Sequence, residues 1–129
     1  MQTMRKTAKT SDFSDSCPYI DVCIEDDNML VSDAAFRLIG NPSTVRFWTN
    51  AETKTLAIQP VDADAPHGIN VEQYVCESYD CFQAGILGVF HTVMPDDLDW
   101  SKHYRVIAKY NVPSNIAIFD LKEAIYVTD

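Results

Sequence analysis

Four cysteines, three histidines and nineteen acidic side chains supply the residue types that metal binding or nucleophilic catalysis would need. Their spacing argues against each use. Five residues separate Cys17 from Cys23 and four separate Cys76 from Cys81, and neither gap has the short knuckle spacing of a four-thiolate zinc site. Cys23 also falls in an apolar run, where free cysteine serves as a core filler. Asp62-Ala63-Asp64 followed by Gly68 is similar to the start of a calcium loop. Its fifth position is Pro66, however, and its twelfth is Gln73 rather than glutamate. Nucleophilic catalysis would set Cys76 or Cys81 beside His67, His91 or His103 with an orienting acid, and no nucleophile signature surrounds them. Gly40, Gly68, Gly85 and Gly88 are too scattered for a phosphate loop, and nothing singles out a pair of carboxylates for hydrolysis. The expectation is a protein with no catalytic residues, no metal and no cofactor.

Charge is more informative. The chain has 129 residues and a formal net charge of −9. Arg5, Lys6 and Lys9 lie in the first ten positions, which hold no acid, so residues 11–129 carry −12. A body of that sign repels phosphate backbones, whose affinity for proteins comes largely from lysine and arginine. It attracts basic surfaces instead. Acid clusters fall at Glu25, Asp26 and Asp27, at Asp62 and Asp64, and at Asp96, Asp97 and Asp99. All three lie in expected loops, where contacts are readily presented.

The elements that must position these groups follow from periodicity. Residues 1–16 hold few large apolar side chains and read as a mobile basic and polar arm before a single domain over 17–129. Tyr19–Ile24 alternates as a strand, and Met29–Val31 forms a second. Ser32 is an N-cap for a short helix over Ala34–Ile39, with Gly40 at its left-handed end. Thr44–Thr49 and Lys54–Gln59 make a hairpin around Asn50–Thr53. Adjacent Phe47 and Trp48 must then point to opposite faces, with Trp48 outward. Residues 61–68 read as a loop and Asn70–Cys76 as a strand. The apolar spacing of Phe82, Ile86, Val89, Phe90 and Val93 predicts a second helix over Phe82–Met94. Tyr104–Tyr110, Asn115–Phe119 and Ala124–Val127 complete the strands. The two halves share the order strand, helix, turn, hairpin. That repeat of pattern predicts an α+β fold in which two such units, with two short helices, close into a small, mostly antiparallel β-barrel or sheet.

Met29-Leu30-Val31-Ser32-Asp33-Ala34-Ala35-Phe36-Arg37-Leu38-Ile39-Gly40, followed by Val45-Arg46-Phe47-Trp48 and Thr55-Leu56-Ala57-Ile58, resembles the AbrB/MazE-like pattern over residues 29–58. The resemblance implies a swapped-hairpin barrel. It also implies a DNA-binding transcription regulator or antitoxin, a dimer that holds DNA through Arg37, Arg46 and the arm residues Arg5, Lys6 and Lys9. The chain departs from that pattern where basic residues are usual, with Asp26-Asp27-Asn28 and Asp33 in their place, so direct DNA binding is the lesser expectation.

The favoured expectation is a non-enzymatic cytoplasmic protein with no membrane segment. It docks its acidic loops and Trp48 on a basic protein, such as a nuclease or other nucleic-acid-binding protein, and inhibits it. Its character resembles the small acidic inhibitors of phages and mobile elements, anti-CRISPR proteins among them.

Overall fold

The computed structural model describes residues 7–14, 16–23, 28–71, 93, 95, 96, 98 and 102–128. Among them are β1 (Thr7–Ala8), β2 (Tyr19–Cys23), β3 (Asn28–Val31), α1 (Asp33–Leu38), β4 (Thr44–Asn50), β5 (Thr55–Pro60) and β6 (Ile69–Asn70). They continue with β7 (His103–Asn111), β8 (Ile116–Asp120) and β9 (Ile125–Val127), with 3-10 turns at Thr10–Asp12 and Leu121–Glu123.

β7 organises everything else. Its first half pairs with β2 on one side, Asp21 opposite Arg105, and with β9 on the other, Ile125 opposite Arg105. Its second half pairs with β8, Lys109 opposite Ile118. β8 and β9 therefore lie end to end along one side of β7, with the Leu121–Glu123 turn between them. Beyond β8 come β5, β4 and β6; beyond β9 comes β1, the one parallel neighbour; beyond β2 comes β3.

Alternation decides which side chains enter the core. Ile20 and Val22, Leu56 and Ile58, Tyr104 and Val106, and Ala117 and Phe119 all face inward and are buried. They form one cluster with Val31, Ala35, Phe36 and Val45, joined by Val93 and Leu98. Phe119 is fully buried at the centre. α1 is a single six-residue helix whose Ser32 hydroxyl accepts from the Ala35 N–H, as its N-cap position requires. The same hydroxyl accepts the Tyr19 N–H, and the Ser32 N–H donates to the Tyr19 carbonyl. Gly40 follows the helix with φ +91°, a conformation open to glycine.

Two expectations need correction. The sheet is mixed and does not close, because its path ends at β1 and β6 and branches at β7; the described strands do not form a β-barrel. The architecture is mostly β, with one short helix and 3-10 turns among the described residues, not an α+β fold of two strand–helix–hairpin units. The two halves differ physically. The strand after α1 starts a local hairpin and β7 starts one with β8, but β7 also pairs with β2, about eighty positions earlier in the chain. The second helix expected over Phe82–Met94 lies, apart from Val93, outside the described residues, as does the strand expected over Asn70–Cys76 beyond Val71. The segment read as an arm is laid against the body over its described part, with Thr7 and Ala8 in register with Tyr126 and Val127.

Candidate functional site

The side of β4, β5 and β8 turned away from the core has no layer over it among the described residues. Where one face of an antiparallel sheet meets solvent, its outward residues are expected to be polar. Here one row crosses four strands in direct register: Trp48, Ala57, Ile118 and Lys109. Trp48 is 51 % exposed, and Ala57 and Ile118 are half-buried. An outward tryptophan and an outward isoleucine, with Ala57 between them on an open sheet, make an apolar surface with polar surroundings, the composition of an interaction patch.

The tryptophan is held in place. Its indole N–H donates to the Gln59 side-chain carbonyl at 2.6 Å. Arg46, two residues earlier on the same face, places its guanidinium 5.4 Å from the Trp48 ring centroid. That guanidinium also donates to the Pro66 carbonyl, from Nε at 3.1 Å and from Nη2 at 2.6 Å. The contact ties the 61–68 loop to the strand end that carries Arg46. Inside the loop, the Ala65 N–H donates to the Asp62 carbonyl and the Gly68 N–H to the Ala65 carbonyl. Gly68 sits so tightly that a Cβ there would come 2.8 Å from Thr44 Cγ2 and 3.1 Å from the Ala65 carbonyl oxygen.

Charge is used unevenly around this surface. Lys109 pairs with Glu123 at 2.7 Å. Lys122 pairs with Asp120 at 3.1 Å and donates to the Thr53 carbonyl. The carboxylates of Asp62, Asp64 and Glu52 are exposed and have no partner among the described residues. Lys109, Lys122 and Arg46 are thus engaged within the chain, while these three carboxylates meet no cation among the described residues.

In the first half of β7 a second charged cluster does a different job. Asp21 and Arg105 join through two bonds, 2.6 and 2.8 Å, and His103 lies 3.4 Å from the same carboxylate. Tyr19 and Phe13 sandwich the guanidinium, at 3.7 and 4.6 Å to their ring centroids. Burial acts to raise the Asp21 carboxyl, but the hydrogen bonds and charges of Arg105 and His103 outweigh it and hold the group below the usual carboxylate range. Burial also pushes the Cys17 thiol up, against the pull of Arg105, which disfavours its thiolate. With the Asp21 carboxylate and the Arg105 guanidinium bonded to each other, the cluster reads as a fastening between β2, β7 and the N-terminal segment.

The residues singled out from sequence scatter accordingly. Trp48 and Arg46 share one face, and Arg46 holds the Pro66 carbonyl of the loop that carries the exposed Asp62 and Asp64. Asp96 is exposed; Glu25, Asp26, Asp27, Asp97 and Asp99 lie outside the described residues, as do Arg5, Lys6, Cys76 and Cys81. Lys9 caps a turn, its N–H donating to the Asp12 carboxylate. Arg37 is exposed in the last turn of α1, whereas Arg46 is committed to Pro66 and Trp48 instead of standing free for phosphate. The other aromatic residues do not extend the Trp48 surface. Phe47 packs against the core, Tyr104 is buried, and Tyr110 donates its hydroxyl to Asn115 from the inward-facing register of β7. Acidic and basic side chains nearly balance among the described residues, so the excess of acid lies in those outside them. Gln59 and Ile118 were not singled out from sequence; the outward register beside Trp48 was the available signal.

Comparison with protein-family models, with curated proteins and with solved structures finds no match. Among the described residues no helix is long and apolar enough to cross a membrane.

Proposed function

We propose that this protein is a non-enzymatic binding protein of the cytoplasm, one that docks on a basic, nucleic-acid-handling protein and inhibits it. One observation carries the reading: an exposed tryptophan is fixed on an open sheet face and tied through Arg46 to a loop whose Asp62 and Asp64 carboxylates have no partner among the described residues. Aromatic anchors at the centre of a patch supply much of the affinity in protein interfaces, and unpartnered charges at the rim steer a partner of opposite sign. The net charge of −9 acts in the same direction at longer range. The alternative, an AbrB-like DNA-binding regulator, has less support because Arg46 is already hydrogen-bonded within the chain.

Affinity capture from the native host tests the proposal, with captured proteins identified by mass spectrometry. A nucleic-acid-binding protein should be retained at about 50 mM salt, be largely released by about 300 mM, and be lost from Trp48→Ala and from Asp62→Asn/Asp64→Asn. Capture unchanged by all three substitutions would overturn the docking surface. A salt-sensitive gel shift with DNA in place of any protein partner would overturn the inhibitor reading.

A further inference from the structure

We infer that the Trp48 corner selects arginine, rather than positive charge in general, in the protein it binds; this rests on the docking surface proposed above. The corner already accepts one guanidinium. Arg46 lies over the indole at 5.4 Å and gives both an Nε and an Nη2 hydrogen to the Pro66 carbonyl. A flat cation that stacks on an aromatic ring while bonding at its edge has the geometry of guanidinium, and ammonium cannot reproduce it. Arg46 comes from the same strand face as Trp48, two residues away, so it covers only part of a ring that is 51 % exposed. The Gln59 bond holds the remaining ring area in one orientation. Asp62 and Asp64, carried by the loop that Arg46 anchors, offer carboxylates that Arg46 does not use. A carboxylate accepts arginine through two parallel bonds and lysine through one.

The occupant of this corner is therefore an arginine side chain from the partner, stacked on the uncovered part of Trp48 with its edge toward the Asp62–Asp64 turn. Proteins that handle nucleic acids display arginine for the same two reasons, stacking on bases and forked bonding to phosphates. Indole and carboxylate together offer that arginine a substitute for both.

The test uses oligoarginine and oligolysine peptides of equal length and charge, titrated into the full chain at low salt. Oligoarginine should bind roughly two- to five-fold tighter, the contribution of one exposed cation–π contact. Trp48→Ala should remove that preference by weakening oligoarginine more than oligolysine, and Trp48→Phe should restore part of it. Asp62→Asn/Asp64→Asn should weaken both peptides. Equal affinity of the two peptides for the unaltered protein, or a preference that survives Trp48→Ala, would overturn the arginine inference and leave the docking proposal standing. Binding of neither peptide would overturn both.

Discussion

Asp21 and Arg105, eighty-four positions apart in the chain, face each other in direct register across β2 and β7, and their side chains form a two-bond pair between two aromatic rings. Arg105 is 5 % exposed and Asp21 12 %. Removing one member of a buried pair leaves the other charge without compensation, whereas replacing both with apolar groups of similar volume is often tolerated. Asp21→Ala is expected to cost about 3 kcal/mol in a urea titration, and Asp21→Leu/Arg105→Met much less than either single change.

The same pair sets a pH dependence. The Asp21 carboxyl is held below its ordinary value in the folded chain, so its contribution is fully present above about pH 5 and is lost as the pH falls through the folded value. Urea midpoints measured from pH 5 downward should fall for the unaltered protein. They should fall less steeply for Asp21→Asn, which starts from lower stability.

Ser32 is a small residue with an unusual number of duties. Its hydroxyl accepts N–H groups from Ala35 and Tyr19, so it caps α1 and fastens that helix to the start of β2. Ser32→Ala is expected to cost about 1–2 kcal/mol, read from the midpoint of chemical denaturation.

Gly68 tests whether the 61–68 loop must keep its shape. A Cβ there meets the buried Thr44 side chain and the Ala65 carbonyl at distances that require one of them to move. Gly68→Ala should lower stability by about 1–2 kcal/mol and weaken partner binding as well, because Asp62 and Asp64 ride on the same loop. A binding assay run beside the denaturation curve separates the two effects.

Trp48→Ala should do the reverse. An exposed residue outside the core changes stability by about 0.5 kcal/mol or less, while truncation of an aromatic anchor costs about 2 kcal/mol of binding. Calorimetric titration against the captured partner, with a urea curve on the same sample, checks both halves of the expectation.

The local elements were legible in the sequence, and the sheet was not. Ser32, Gly40 and the alternation in β4 and β5 carry their own signals, and the helix and hairpin fall within a residue or so of their expected bounds. The outward position of Trp48 follows from its neighbour Phe47 pointing inward. Nothing within a window around Tyr104–Tyr110 says that its first half joins β2 and β9 while its second half joins β8. That pairing depends on apolar faces brought together from distant parts of the chain, which local periodicity does not encode. The barrel expectation failed at this point. Arg46 misled for a related reason: its partner, the Pro66 carbonyl, is a backbone group whose position depends on the fold of a loop twenty residues away. Asp21 and Arg105 each stood as a lone charge between two inward residues, a pattern that becomes informative only once the two strands are known to be neighbours.

The position of β7 also bears on synthesis. The ribosome delivers β2 to β6 before any part of β7 exists, so the emerging chain holds hairpins whose inward faces have no central strand to meet. Such intermediates expose apolar surface and unpaired strand edges for as long as translation of the intervening residues lasts. Once β7 and β8 emerge, one strand joins both groups of strands, and the burial of Phe119 completes the core. A chain interrupted before residue 103 would thus lack the strand that joins its two groups, and a slow stretch of translation there would lengthen the exposure of their inward faces.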